Sequence, residues 1–132
     1  MSKTDDDIKT VKGIYAAFLG GDFEKWLSFF DENSVLWEAQ SLPYGGTFRG
    51  SKAIKDAILR MVACWDDVKL DVTDILANEH RVIAYGTFSG TGKATGKRAS
   101  FPITEMWVIS KGKVAEIVAI YADTALALSV LK

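Results

Sequence analysis

Ser34-Val35-Leu36-Trp37-Glu38 is an apolar run that closes on a carboxylate, and the loop Leu42-Pro43-Tyr44-Gly45-Gly46-Thr47-Phe48-Arg49-Gly50 then feeds an amphipathic helix. A strand ending on an acidic residue beside an aromatic, glycine-rich loop puts one carboxyl group among apolar neighbours. Such a group is pushed towards its neutral form because the carboxylate loses hydration there, and enzymes use this effect to set an acid or base near neutral pH. The simpler reading, a strand-end Glu38 pointing into water, stays open beside it.

Upstream, Ile8, Val11, Ile14, Tyr15, Phe18 and Leu19 recur at helical spacing from Thr4 until Gly20-Gly21 stops them. Thr4 with Asp7 three residues on suits an N-cap pair, a better account of Asp5-Asp6-Asp7 than a calcium loop, which needs more oxygen ligands. Asp22 suits the cap of a second helix carrying Phe23, Trp26, Leu27, Phe29 and Phe30, which Asp31-Glu32-Asn33 ends. Downstream, Ser51 caps a third helix with Ile54, Ala57, Ile58, Met61 and Trp65 on one face. After Asp66-Asp67 the pattern turns to alternation. Val68-Leu70-Val72, Val82 to Phe88, Phe101 to Ile109 and Val114 to Tyr121 read as four strands. Gly90 to Gly96 reads as a hairpin tip, Ser110-Lys111-Gly112-Lys113 as a hairpin turn, and Thr124 to Leu131 as a short closing helix.

Helices first and sequential strands later predict an α+β class, with helices covering one face of a mostly antiparallel sheet and a cone-shaped pocket between the layers. Ala84 and Gly86 leave space beneath the helices for a ligand, unless Phe18 and Trp26 fill it. The last two strands are apolar on both faces: Met106 and Val108 alternate with Trp107 and Ile109, and Ile117 adjoins Val118. Both faces need cover, one from the helices and the other from a second copy of the chain.

With 132 residues, 48% of them hydrophobic and 25% charged, the chain reads as one globular domain spanning 1–132. Sixteen Lys and Arg against 17 Asp and Glu supply no basic field for a phosphate backbone, so nucleic-acid binding is not expected. No uncharged apolar run is long enough to span a membrane. A single Cys64 and the acidic start Met1-Ser2-Lys3-Thr4-Asp5-Asp6-Asp7 predict a cytoplasmic protein without a signal peptide.

Three other features carry less. His80, the only histidine, follows Asn78-Glu79 as an exposed turn residue, and one His with one Cys does not make a metal site, so no metal is assigned. Cys64, late in the third helix, reads as a small hydrophobe. Gly90-Thr91-Gly92-Lys93-Ala94-Thr95-Gly96-Lys97 fails as a phosphate loop, because Thr91 and Arg98 stand where a Gly and a Ser or Thr are needed and strands rather than a helix follow.

With Tyr15-Ala-Ala-Phe-Leu-Gly-Gly-Asp22, the Leu42 to Gly50 loop, and Gly112-Lys113-Val114 to Tyr121-Ala122-Asp123 in order, the chain resembles the nuclear transport factor 2-like superfamily, in its SnoaL-like, ketosteroid isomerase-related branch. The resemblance runs over the whole chain and implies a curved sheet wrapped by helices around a conical cavity, commonly dimeric through the outer sheet face. It places Glu38 where ketosteroid isomerases, whose carboxyl groups are tuned by their surroundings, carry their general base. Their oxyanion tyrosine corresponds to Ile14, with Tyr15 one residue and so about 100° further round the helix. Their second donor, a protonated Asp, corresponds to Thr104, and these departures argue against steroid isomerisation. The Asp, Arg, Asp group of limonene epoxide hydrolases has no counterpart at the inward positions. SnoaL-like cyclases use a cavity carboxylate, a role open to Glu38 or to Asp123. Asp123 has the parity of Tyr121, but the N-cap of the helix Thr124 to Leu131 suits it better, given how strongly Asp prefers caps.

Three functions remain in view. One is a cofactor-free isomerase, cyclase or hydrolase in which Glu38, with Asp123 as a second candidate, moves a proton on an apolar small molecule held by Tyr15, Tyr44, Trp65, Phe88, Thr104, Met106 and Tyr121. The second is a non-catalytic module that binds the same kind of ligand. The third is a dimerisation module whose pocket its own side chains fill.

Overall fold

The computed structural model describes residues 2–132; Met1, the first residue of the acidic start, lies outside them. The elements run α1 (Lys3–Leu19), α2 (Phe23–Ser28), β1 (Val35–Glu38), β2 (Gly46–Arg49), α3 (Ser51–Cys64), β3 (Trp65–Ala77), β4 (Val82–Gly92), β5 (Arg98–Ser110), β6 (Lys113–Tyr121) and α4 (Thr124–Leu131). The expected α+β class holds. One curved, unclosed sheet has the order β2-β1-β6-β5-β4-β3, antiparallel throughout except where β1 runs parallel to β6. That parallel pair joins the first strand to the last and brings Glu38 beside the C-terminal half of the chain.

Alternation decides which residues face the helices. On β5, Phe101, Ile103, Trp107 and Ile109 are buried, whereas Pro102 is exposed and Thr104, Met106 and Val108 are half-buried on the other face. Cross-strand register extends the inner face into rows. Val82, Trp107 and Ile117 lie side by side, as do Ala84, Glu105 and Ala119. The two alanines flank Glu105 and leave room around it, as expected for Ala84. Gly86 has a second reason: a Cβ there would meet the Asp71 carbonyl oxygen at 2.1 Å, so β3 approaches closely only because that atom is missing.

Several local expectations change. Ser2, not Thr4, caps α1, its Oγ accepting from the Asp5 amide at 3.1 Å, while Asp7 is buried and paired with Lys3, which also donates to the Ile109 carbonyl. Asp22 caps α2 as expected. Gly50 is the N-cap of α3 and Ser51 already its first residue. Trp65 leaves α3 and opens β3. The stretch Gly46–Arg49, read as loop, pairs antiparallel with β1 as β2. Gly90 to Gly92 extend β4, so the hairpin tip shortens to residues 93–97.

Candidate functional site

Between the concave face and the helices lies a cavity with about 60 Å³ of free space, walled by Ile14 and Phe18 of α1, Trp26 of α2, Ile54, Ile58 and Met61 of α3, and Leu36, Phe88, Ile103, Trp107, Ile117 and Tyr121 of the sheet. Into this apolar wall come two charged residues, Glu38 and Glu105.

Glu38 ends β1 and is 8% exposed. Burial, reinforced by the nearby Glu105, pushes its carboxyl up to about 8. Two groups pull the other way: the Ala39 amide, which donates to Oε1 at 3.4 Å, and the Tyr121 hydroxyl. Behind Tyr121 stands Tyr44, their hydroxyls 2.8 Å apart, and the Trp65 Nε1–H donates to the Tyr44 hydroxyl at 3.1 Å. An indole only donates, so Tyr44 accepts from Trp65 and shares with Tyr121 a hydrogen bond that either hydroxyl can donate. Tyr44 reaches this place because its loop folds tightly: a Cβ on Gly45 would strike the Ala39 carbonyl oxygen at 1.9 Å. Burial lifts the Tyr44 hydroxyl to about 12 and raises Tyr121 as well.

Glu105 sits in the middle of β5, enclosed by protein except where it meets the cavity. Burial raises its pKa, opposed by the Tyr15 hydroxyl, which donates to Oε1 at 2.6 Å. The Trp107 Nε1–H in turn donates to Tyr15 at 3.0 Å, the two rings meeting edge to face. Tyr15 is raised by the same burial and by Glu105. Two carboxyl groups with raised pKa values thus line one apolar space, an arrangement suited to moving a proton on a bound molecule.

The expected site residues fall into three groups. Glu38, Phe88 and Tyr121 line the cavity, whereas Tyr15, Tyr44 and Trp65 stand one layer behind, Tyr15 hydrogen-bonded to Glu105, Tyr44 to Tyr121 and Trp65 to Tyr44. Thr104 and Met106 belong to the opposite face of β5, so they do not line the cavity, and Trp107 does. Asp123 is exposed, its Oδ1 accepting from the Leu126 amide at 2.9 Å as the cap of α4, outside the cavity wall. Glu105 was missed. Its signal was present: it shares parity with Phe101, Ile103, Trp107 and Ile109, and a lone acid on so apolar a face has to be accommodated there. His80 and Cys64 lie off this cavity, and no group of three or more His, Cys, Asp or Glu that could hold a metal ion is found among the described residues.

A family model for the SnoaL-like domain matches residues 11–117. Among solved structures, a nuclear transport factor 2-like protein from Burkholderia thailandensis superposes with a TM-score of 0.87 at 23% identity, over 95% of this chain and 96% of that one. TerC, co-crystallised with polyporic acid, gives a TM-score of 0.86 at 22% identity over 96% and 98% of the two chains. A protein from Xanthomonas campestris pv. campestris, provisionally named a polyketide cyclase, gives 0.82 at 20% identity over 99% and 100%. At these identities the likeness is one of fold. No curated protein matches the sequence.

Proposed function

The chain belongs to the SnoaL-like domain family, and on that footing we propose that it is a small-molecule acid–base enzyme of the isomerase or cyclase kind, acting on an apolar carbonyl compound. The observation that carries this reading is the pair of enclosed carboxyl groups, Glu38 and Glu105, lining one apolar cavity from different strands. Ionised Glu38 removes a proton from the carbon next to the substrate carbonyl. The released electron pair moves onto the carbonyl oxygen, where Glu105 in its protonated form donates a hydrogen bond and keeps its proton. Glu38 then returns its proton to another carbon, completing an isomerisation. In a cyclisation the enolate carbon attacks a second carbonyl of the same molecule, and the new alkoxide takes that proton. A base with a pKa of about 8 suits this shuttle, because at neutral pH it both accepts and releases a proton readily. The steps need only proton transfers that these side chains supply.

The test is solvent exchange. A panel of enolisable ketones and 1,3-diketones incubated in deuterated buffer is expected to gain deuterium at the α-carbon with wild type, and to do so about 100- to 10,000-fold more slowly with Glu38→Gln. Equal rates for the two proteins would leave a non-catalytic binding or dimerisation module in its place. That second reading draws on the inner cavity, whose 60 Å³ hold only about four to six water molecules.

We place self-association on the outer face of the sheet. There Ile83, Met106, Val118 and Trp37 adjoin one another across four strands, with Tyr85, Thr104 and Ile120 in the next row. Trp37, Ile83, Tyr85 and Ile120 are exposed, an apolar patch of the kind that marks a contact surface. Light scattering should give twice 14.5 kDa for the wild type and the single mass for Ile120→Glu.

A further inference from the structure

Outside the inner cavity, the end of α1, the start of α2 and the outer flank of α3 frame a groove with about 650 Å³ of free space, against 60 Å³ inside. Its wall includes Leu19, Phe23, Leu59, Val62, Trp65 and Val68. Leu59 and Val62, one turn apart on α3, are 48% and 47% exposed, which is costly for side chains with nothing to cover them. Phe18, Ile58 and Met61 belong to both walls, so the two spaces are separated by three side chains. One of these is an unbranched methionine that changes rotamer at little cost.

We propose that this groove binds the apolar tail of the substrate whose carbonyl end enters the inner cavity between Glu38 and Glu105. The proposal rests on the acid–base reading of that cavity and adds the substrate class: an amphiphile without negative charge, with a small carbonyl head and an alkyl chain or ring system behind it. An anionic head is disfavoured because two carboxyl groups and no Lys, Arg or His line the inner space. The tail is apolar and bulky because the groove is, with charge confined to Asp66, Asp67 and Lys93. This division also explains how so small an inner cavity serves a sizeable molecule, since only the reacting end has to fit. The inner cavity is lined by two indoles, Trp26 and Trp107, and the groove by Trp65.

Side chains that belong to one space only supply the test. In correlation spectra of the full chain, 2-butanone is expected to shift the Trp26 and Trp107 indole N–H signals and to leave the Leu59 and Val62 methyl signals in place. The longer 2-decanone should shift those methyl signals as well and bind about a hundredfold more tightly, its extra methylenes leaving water for the groove. Leu59→Glu, an exposed position whose change leaves the fold intact, should cut the ratio of the two affinities about tenfold. Equal affinities for the two ketones, unmoved Leu59 and Val62 methyl signals in wild type, or an unchanged ratio in Leu59→Glu would each overturn the groove. Those results together with α-carbon exchange on short ketones leave the acid–base reading standing. Chain-length-dependent binding without any exchange keeps the groove and removes the chemistry.

Discussion

Glu38 and Glu105 are held by kindred arrangements, each carboxyl approached by a tyrosine hydroxyl with an indole N–H further back, yet the two are not interchangeable. Glu105 is a mid-strand residue, its backbone committed to β4 on one side and β6 on the other. The Tyr15 hydroxyl alone favours its charged form. Glu38 stands at a strand end, where the ladder stops and the Ala39 amide turns to the carboxylate, with the Tyr121 hydroxyl as a second donor. In the proposed chemistry the strand-end carboxyl, pushed up to about 8, is the proton carrier, and the mid-strand one, also raised by burial, is the donor.

The largest effect that tests this contrast is on catalysis. Glu38→Gln removes the proton carrier, with the loss of about 100- to 10,000-fold in α-carbon exchange given above. Glu105→Gln keeps a donor, since an amide N–H occupies the place of the acid O–H, and is expected to lose only about tenfold. Exchange rates for the two variants measured side by side decide the matter. A larger loss for Glu105→Gln reverses the assignment.

Stability against pH is the next largest effect. Glu38 has a higher pKa folded than unfolded, so across the interval from 4.5 to about 8 the unfolded chain releases a proton that the folded chain keeps. Stability from this group is fully present below pH 4.5 and is lost as pH rises through about 8, a cost on the order of a few kcal/mol. Urea melts of wild type and Glu38→Gln should therefore diverge with rising pH, the Gln variant becoming the more stable by pH 8. Parallel pH dependences for the two proteins would show Glu38 to be solvated.

Most of the fold was legible because it rests on local periodicity. Val11, Ile14, Tyr15 and Phe18 announce α1, and the alternation after Asp67 announces the long strands. The pairing of β1 with β6 left no such mark, since a contact between residues some eighty apart has no local pattern. Glu38 was legible as the charged end of an apolar run. Glu105 was harder to read despite its parity with Ile103 and Trp107, because both faces of β5 are apolar and the alternation of Met106 with Trp107 marks neither face as the inner one. Asp123 shows the opposite failure. Strand parity was carried past Tyr121, where β6 ends, and the preference of Asp for a helix cap took over.

The smallest expected effect is the most informative about the Glu38 side of the comparison. Tyr44 does not line the cavity, but its hydroxyl stands between the Trp65 indole and the Tyr121 hydroxyl. In the proposed chemistry Tyr44 donates to Tyr121, polarises that hydroxyl towards Glu38 and so is a positioning residue for the base. Tyr44→Phe removes the donation, which disfavours the charged form of Glu38 and moves its titration upward. The variant is expected to shift the pH profile of α-carbon exchange by about half a unit in the alkaline direction. It should also lose about 1 to 3 kcal/mol of stability, because the buried Trp65 N–H is left without an acceptor. A purely structural role for Tyr44 would lower exchange equally at every pH. The displaced profile, with its plateau rate retained at high pH, is what a relay to Glu38 requires, and Tyr15→Phe, which acts on Glu105 instead, should lower the plateau without moving the profile.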